Sequence, residues 1–394
     1  MNSKGKITLI THAKIVTLDR IIEDGFAAWK DGTIQSIGPM HELDPGLSAC
    51  AGQTIHAGSH WLLPGFIDVH VHGGYGHDVM DASEEALEGM TRFHGSHGTT
   101  TMLATTMTAP REEITKVLQS VQAFRDKDMP YAQLAGVHLE GPFISPDYPG
   151  AQNPAYIVPP REQWLDEWTA AHPGLIRMLT LAPELEGALP LIKKVSNQGI
   201  IAACGHTNAT YAQMGEAVRH GLTHAVHTFN AMKGLHHREP GVVGAVMTEE
   251  AIGAEIIADG RHVHPVCIRL LMQVKRSDNL MLVTDAISAA GLDDGNYKLG
   301  GLDVTVKDGV ATLKKDGSLA GSTITMIDAF RFMVNTVGAS IMETSRMASY
   351  NPAKTLGLEK QTGSIAAGKQ ANLLLLAPDL SVRQVWIRGR LVSF

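Results

Sequence analysis

Six residues of this chain have the types and the spacing to do chemistry together. His70 and His72 close the run Pro64-Gly65-Phe66-Ile67-Asp68-Val69-His70-Val71-His72, a short apolar stretch with a Pro-Gly start. Side chains alternate along a strand, so both imidazoles face the same way. Two neutral imidazoles converging from one strand end can grip a divalent cation. A His-x-His pair alone reads equally well as two core histidines, and the later residues tip the balance. Glu140, His206 and His227 make a two-imidazole, one-carboxylate set that leaves a coordination position open for water. A divalent cation there lowers the pKa of its water to about 7 and polarises a carbonyl oxygen. Asp285 could take a proton from the water and return it to a leaving nitrogen. His70 and His72 would then hold either a second cation, bridged to the first through Glu140, or nothing essential. The segment Thr180-Leu181-Ala182-Pro183-Glu184 supplies no lysine, so any bridge falls to Glu140.

Plainer roles stand beside these. Glu140 could cap a helix or form a salt bridge, and Asp285 could be an N-cap. His138 and His224 precede better candidates by two and three residues and read as core or supporting groups. His262 and His264 read as substrate-facing or structural. His77, His94, His97, His220, His236 and His237 read as surface or packing residues, and Cys204 as a small buried hydrophobe.

The elements that must position these groups are visible as eight strand-like stretches, at 66–72, 100–106, 134–140, 176–182, 200–205, 222–228, 254–258 and 280–284. Between them, segments such as 112–126, 211–220 and 265–275 have the apolar spacing of helices. Eight strand-helix units predict an α/β chain folded as a (β/α)8 TIM-type barrel, whose site lies where the strands end. His70, His72, Glu140, His206, His227 and Asp285 all fall at such ends. Outside this region the texture changes. Stretches 6–10, 13–18 and 33–37, with the turn Asp31-Gly32, and stretches 371–376 and 382–389 are short and β-rich. The expectation is a small β-sandwich domain built from both chain ends, 1–59 and 364–394, bracketing a barrel at 60–363, with two unrelated β extensions as the alternative.

With 33 basic and 40 acidic residues among 394, the formal charge of -7 argues against a nucleic-acid or anionic-membrane partner. No apolar run reaches the ~18 residues of a membrane span, and the start lacks a signal-peptide pattern. Three widely spaced cysteines imply no disulfide framework, so a cytoplasmic location is expected.

The motifs also resemble a known family. The first run through Gly73, His138-Leu139-Glu140-Gly141-Pro142, Gly205-His206-Thr207-Asn208-Ala209, His227-Thr228-Phe229-Asn230-Ala231-Met232, Arg238-Glu239-Pro240-Gly241, Ala258-Asp259-Gly260-Arg261-His262 and Val283-Thr284-Asp285-Ala286 are similar to the N-acetylglucosamine-6-phosphate deacetylases of the amidohydrolase superfamily. A Pro-Gly-x-x-Asp-x-His-x-His start marks only the superfamily, whereas the Leu-Glu-Gly-Pro and Phe-Asn-Ala-Met segments are far more specific.

The resemblance implies hydrolysis of the acetamide of an amino-sugar phosphate, with one or two divalent metals (zinc, iron or manganese) per subunit. It implies Glu140, His206 and His227 as principal metal ligands, Asp285 as catalytic acid/base, and Asn230, Ala231 and His262 as substrate contacts. Ala151 and Gln152 fall in a substrate-covering loop and Leu319 in a loop near the sugar. Arg238 matches an arginine that reaches the phosphate across a homodimer interface; its planar fork of donors suits that anion. A surface salt bridge with Glu239 is the plainer role for Arg238. Some members carry Gln-x-Asn in place of the first His-x-His and use one metal; this chain keeps His70 and His72. Rival readings are another amidohydrolase, such as a cyclic-amide hydrolase or aminopurine deaminase, and a non-catalytic binding protein of the same fold.

Overall fold

The chain begins with an antiparallel meander. In the computed structural model, which describes residues 5–393, strands β1 (Ile7–Val16), β2 (Ile21–Lys30) and β3 (Thr33–Pro39) pair in sequence. Asp31 and Gly32 join the last two with φ of 49° and 79°, the left-handed pair a two-residue hairpin needs. The stretches expected as separate strands at 6–10 and 13–18 are one strand. A register shift between Ile10 and Ala13, where His12 has a φ of 57°, bends β1 without ending it. The bend lets one strand serve two parallel partners, β4 (Ala51–His56) along its first part and β5 (Trp61–Pro64) along its second.

The central chain alternates strands and helices. Strand β6 (Phe66–Asp68) is followed by the two-residue strands β7 (Gly73–Gly74) and β8 (His77–Asp78). Then come β9 (Thr99–Thr106), β10 (Gln133–Glu140), β11 (Ile176–Leu181), β12 (Ile201–Cys204), β13 (Leu222–Ala225), β14 (Gly253–Ile257) and β15 (Leu280–Val283). β6 and β9 to β15 form one eight-stranded sheet in that order, each neighbour parallel. A helix lies in each connection, and those at Arg111–Arg125, Tyr211–Arg219 and Pro265–Lys275 match the expected segments. The eight expected strands are all present, five of them shorter than expected, two one residue longer at the start, and the seventh shifted by one residue. The first ends at Asp68 and the sixth at Ala225, so His70, His72 and His227 lie just beyond the paired residues.

The ends of this row meet through their extensions. Asp285 N–H donates to His70 O at 2.9 Å, and the N–H groups of His72 and Gly73 both donate to Ala286 O at 2.9 Å. Ile67, Val69, Leu103, Met178, Ala203, Val226, Ile257 and Val283, contributed by or next to seven of the eight strands, are buried in a single apolar cluster. A larger cluster includes alternate strand residues such as Ala254 and Ile256 with helix residues such as Leu118 and Leu271.

After β15 a three-stranded antiparallel sheet, β16 (Gly295–Leu299), β17 (Leu302–Lys307) and β18 (Val310–Leu313), carries its own apolar cluster with Met107 and Ile287. The chain then returns to its start. β19 (Leu373–Leu376) pairs antiparallel with β5 and is followed by β20 (Val382–Ile387) and β21 (Arg390–Leu391). Trp29 and Trp386 meet edge-on at 5.4 Å, and Trp29 Nε1 donates to Gly389 O at 3.0 Å, so both ends of the sequence share one sheet and core.

Candidate active site

Glu140, the last residue of β10, is the hub. Its Oε1 lies 3.0 Å from His227 Nε2, 3.2 Å from His70 Nε2 and 3.3 Å from His206 Nε2; Oε2 lies 3.4 Å from His72 Nε2. Two ligand groups therefore share it, His70–His72–Glu140 and Glu140–His206–His227, all buried. Asp285 Oδ1 stands at 3.1 Å from His72 Nε2 and 3.6 Å from His70 Nε2. Three of these residues turn inward on strained backbone. His206, His227 and Asp285 have φ of 49°, 29° and 49°, a region that non-glycine residues occupy chiefly where the surroundings enforce it.

The outer nitrogens fix the ring states. His72 Nδ1 faces Thr105 O, His206 Nδ1 faces Tyr148 O and His227 Nδ1 faces Asn230 O, at 3.1 to 3.2 Å. His70 Nδ1 faces the Glu255 carboxylate at 2.8 Å. None of these oxygens can donate, so each Nδ1 carries the hydrogen. In the neutral rings all four Nε2 lone pairs then face the Glu140 carboxylate. His206 and His227 Nε2 are 3.2 Å apart, and His70 Nε2 is buried without a hydrogen-bond partner. Such a donor set calls for positive charge at its centre and fits one or two divalent cations of the kind that imidazole and carboxylate hold.

Electrostatics agree. Burial opposes charge on His70 and His72, yet the surrounding carboxylates outweigh it: Glu140, Glu255 and Asp285 raise His70 well above the ordinary imidazole value, and Asp285 and Glu140 raise His72 to about 9. Burial likewise opposes the ionised forms of Glu140 and Asp285. The nearby imidazoles, His70 first, hold both carboxyls below their ordinary range.

Above the hub lies a cavity of about 300 Å³. His72, Glu140, His206, His227 and Asp285 line it, and so do Ala151, Gln152, Asn230, Ala231, His262 and Leu319. Gln152 Nε2 donates to Glu140 Oε2 and its Oε1 accepts from Thr108 N–H at 2.7 Å, tying the 150–153 loop to the hub. His262 is aimed by Asp259, whose carboxylate accepts from Nδ1 at 2.6 Å. Arg238 does not line the cavity of its own chain. It is exposed and donates to His237 Nε2, while Glu239 accepts from the N–H groups of Tyr211 and Gly241. His138 donates to or accepts from Thr180 Oγ1 at 2.7 Å, and His224 pairs with Glu255, the supporting roles expected for both. His264 is the N-cap of the helix Pro265–Lys275, a structural role. Cys204 is buried, which pushes its thiol up to about 12.

Sequence reasoning missed Glu255, Asp68 and the Met107 and Leu299 walls of the cavity. Glu255 stood as a lone carboxylate inside an apolar strand, a signal that it must be paired. Asp68, fully buried, accepts from Thr284 Oγ1 at 2.5 Å and so clasps the first strand to the last. Glu184 accepts from Thr207 Oγ1 and Asn208 N–H and anchors the loop that carries His206.

The Amidohydrolase family matches residues 61–392. The N-acetylglucosamine-6-phosphate deacetylase of Bacillus subtilis is 38% identical over 387 residues, 97% of this chain and 96% of that one. The chain belongs to the N-acetylglucosamine-6-phosphate deacetylase family of the amidohydrolases. A solved member of the deacetylase family, an aspartate-to-alanine variant from Mycobacterium smegmatis in complex with N-acetyl-D-glucosamine-6-phosphate, superposes with a TM-score of 0.91. It is 33% identical, with 98% of this chain and 99% of that chain covered. An N-acetylgalactosamine-6-phosphate deacetylase of Escherichia coli O157:H7 is 40% identical over 333 residues, 84% of this chain and 88% of that one. Among the described residues, no helix is long and apolar enough to cross a membrane.

Proposed function

We propose that this protein hydrolyses the acetamide of N-acetylglucosamine 6-phosphate to glucosamine 6-phosphate and acetate, in amino-sugar catabolism and cell-wall sugar recycling. The observation that carries this reading is the convergence of four Nε2 atoms on Glu140, beside Asp285, at the floor of a cavity in a chain of this family. A divalent cation held by Glu140, His206 and His227, whether zinc, iron or manganese, would polarise the acetamide carbonyl and make a water nucleophilic near neutral pH. Asp285, held ionised, accepts the proton of the attacking water at Oδ1 and passes it to the departing nitrogen. His70 and His72 give the chain a second set of ligands around the same carboxylate. His262, aimed by Asp259, and the Asn230–Ala231 segment hold the sugar, while Ala151, Gln152 and Leu319 close over it and keep water out.

The phosphate falls to Arg238 of a second copy in a homodimer. Its absence from the lining of its own cavity supports this, as do exposed apolar side chains on this chain. Leu235 in the same loop is 57% exposed, and Val266, Leu270 and Val274, one stripe at helical spacing, are 53%, 44% and 48% exposed. Exposed apolar side chains of this kind fit a face covered by a partner subunit. The meeting of Asp285 with His70 supports a closed (β/α)8 barrel within 60–363, while β5 at the start of that segment joins the strands of 1–59 and 364–394 in the terminal sheet, read as a β-sandwich domain. All three cysteines are free, in keeping with a reducing cytoplasm.

A second reading, hydrolysis of the C4 epimer N-acetylgalactosamine 6-phosphate, is favoured by the 40% identical Escherichia coli relative. One comparison tests both. Acetate release is measured on the two sugar phosphates and on unphosphorylated N-acetylglucosamine, for the native protein and for Arg238→Ala. The expected order puts N-acetylglucosamine 6-phosphate first, with Arg238→Ala losing about 10- to 100-fold in kcat/KM on it, the scale of a charge-assisted contact, and nothing on the neutral sugar. A preference for the galacto epimer would replace the substrate, and equal loss on both sugars would remove Arg238 from the phosphate site.

A further inference from the structure

Of the four imidazoles that face Glu140, three are backed by main-chain carbonyls and one by a carboxylate. The carboxylate is Glu255, in the middle of β14, fully buried between Ala254 and Ile256. Its two oxygens serve three donors on two segments. Oε2 accepts from His70 Nδ1 at 2.8 Å and from the His227 main-chain N–H at 3.2 Å, and Oε1 accepts from His224 Nε2 at 3.0 Å. Its main-chain oxygen takes Thr228 N–H at 2.9 Å. Glu255 therefore touches both halves of the centre without facing the cavity: the side chain of His70 on one side, and on the other the backbone of His227, where φ is strained at 29°.

The two contacts differ in kind. At His227 the carboxylate holds a turn that Thr228 N–H also pins, so that half-site has a second support. At His70 it is the partner that fixes the ring, since the remaining nitrogen, Nε2, is the one left without a hydrogen bond. An ionised acceptor behind an imidazole fixes the tautomer and makes the opposite nitrogen a stronger donor to a cation than a carbonyl does.

We propose that Glu255 is a positioning residue that sets cation occupancy at the His70–His72–Glu140 group, by holding His70 with Nε2 directed inward, while leaving the Glu140–His206–His227 group able to bind alone. The inference rests on the reading that His70 and His72 hold a cation. His224 completes the device: by donating to Oε1 it satisfies the lone pairs that would otherwise be left buried and free, and fixes the carboxylate's plane.

The test is equilibrium dialysis of the full-length protein against buffered zinc, counting equivalents bound per chain, for the native protein, His70→Gln, Glu255→Gln and Glu255→Asp. Glu255→Gln is close to isosteric and keeps an acceptor for His70 while losing the charge; Glu255→Asp keeps the charge on an arm one methylene shorter and serves where the first fails to fold. The expected result is two equivalents for the native protein and one for His70→Gln. In both Glu255 variants the first equivalent binds as in the native protein and the second is weakened by about 10- to 100-fold, the usual effect of losing such a supporting carboxylate. A second equivalent bound natively by the Glu255 variants, or equal weakening of both equivalents, overturns the proposal. If His70→Gln leaves the count unchanged, the cation reading of that group fails and the inference falls with it, a pattern distinct from the other two.

Discussion

Each imidazole of the centre commits Nδ1 to a fixed acceptor, and that single fact converts six scattered residues into one site. Asp285 differs from the others. It lies against His72 and His70 at the open side of the hub, and the neighbouring imidazoles overcome burial to keep it ionised. Asp285→Asn preserves its shape and removes its proton affinity. The expected outcome is a fall in kcat of about 10²- to 10⁴-fold with bound metal unchanged by elemental analysis; a variant of near-native rate would exclude Asp285 from proton transfer. At this scale the sequence was highly legible, because His70, His72, Glu140, His206, His227 and Asp285 end apolar runs and chemistry narrows what such a set can do. Glu255 was not, because its role depends on His70 and His224, 185 and 31 residues away, which only the fold brings together.

At the scale of elements, the site depends on where strands stop. The backbone continues past Asp68 to place His72 against Ala286, and this close approach explains Gly73. A Cβ there would lie 2.3 Å from His77 O and 2.8 Å from Ser288 N, both main-chain atoms that cannot rotate away. Gly73→Ala is expected to cost about 1–3 kcal/mol of stability, as overpacking typically does. It should also lower activity by moving His72 away from Asp285. Denaturant unfolding with a parallel assay checks both, and a variant native in each would show that the contact yields. The eight central strands were legible from their apolar runs, whereas their bounds were not, since pairing ends at Asp68 and Ala225 although the apolar pattern continues. The β1 bulge was hidden because a register shift leaves little trace in hydrophobicity. The sheet β16–β18 did leave a trace: Gly300-Gly301 and Asp308-Gly309 are two-residue hairpin turns with positive φ throughout. Its Leu299 wall of the cavity follows from them.

At the scale of the whole molecule, the two chain ends share one sheet, which their similar β-rich texture foretold, while the pairing partners were set by contacts no local pattern carries. Stability also couples to pH through a buried residue beside the site. His94 is fully buried and donates from Nε2 to Gly73 O at 2.9 Å. Burial lowers its pKa from 6.5 to about 4. The unfolded chain takes up that proton near pH 6.5 and the folded chain only near 4, so the stabilisation is full above 6.5 and is lost as pH falls through that window. The loss amounts to about 3 kcal/mol at 1.36 kcal/mol per unit. His94→Gln, which keeps an N–H donor, should flatten the fall in unfolding free energy between pH 6.5 and 4; an unchanged slope would assign the acid sensitivity to other groups.

Hydrolysis of an amino-sugar acetamide at the centre around Glu140 is proposed to depend on a divalent cation. The most direct measurement is acetate release from N-acetylglucosamine 6-phosphate by protein stripped with a chelator and then given back zinc, iron or manganese in counted equivalents. The expected outcome is no release from the stripped protein, and recovery that saturates at one or two equivalents per chain. Full release by the stripped protein, or none from the reloaded protein, would contradict it.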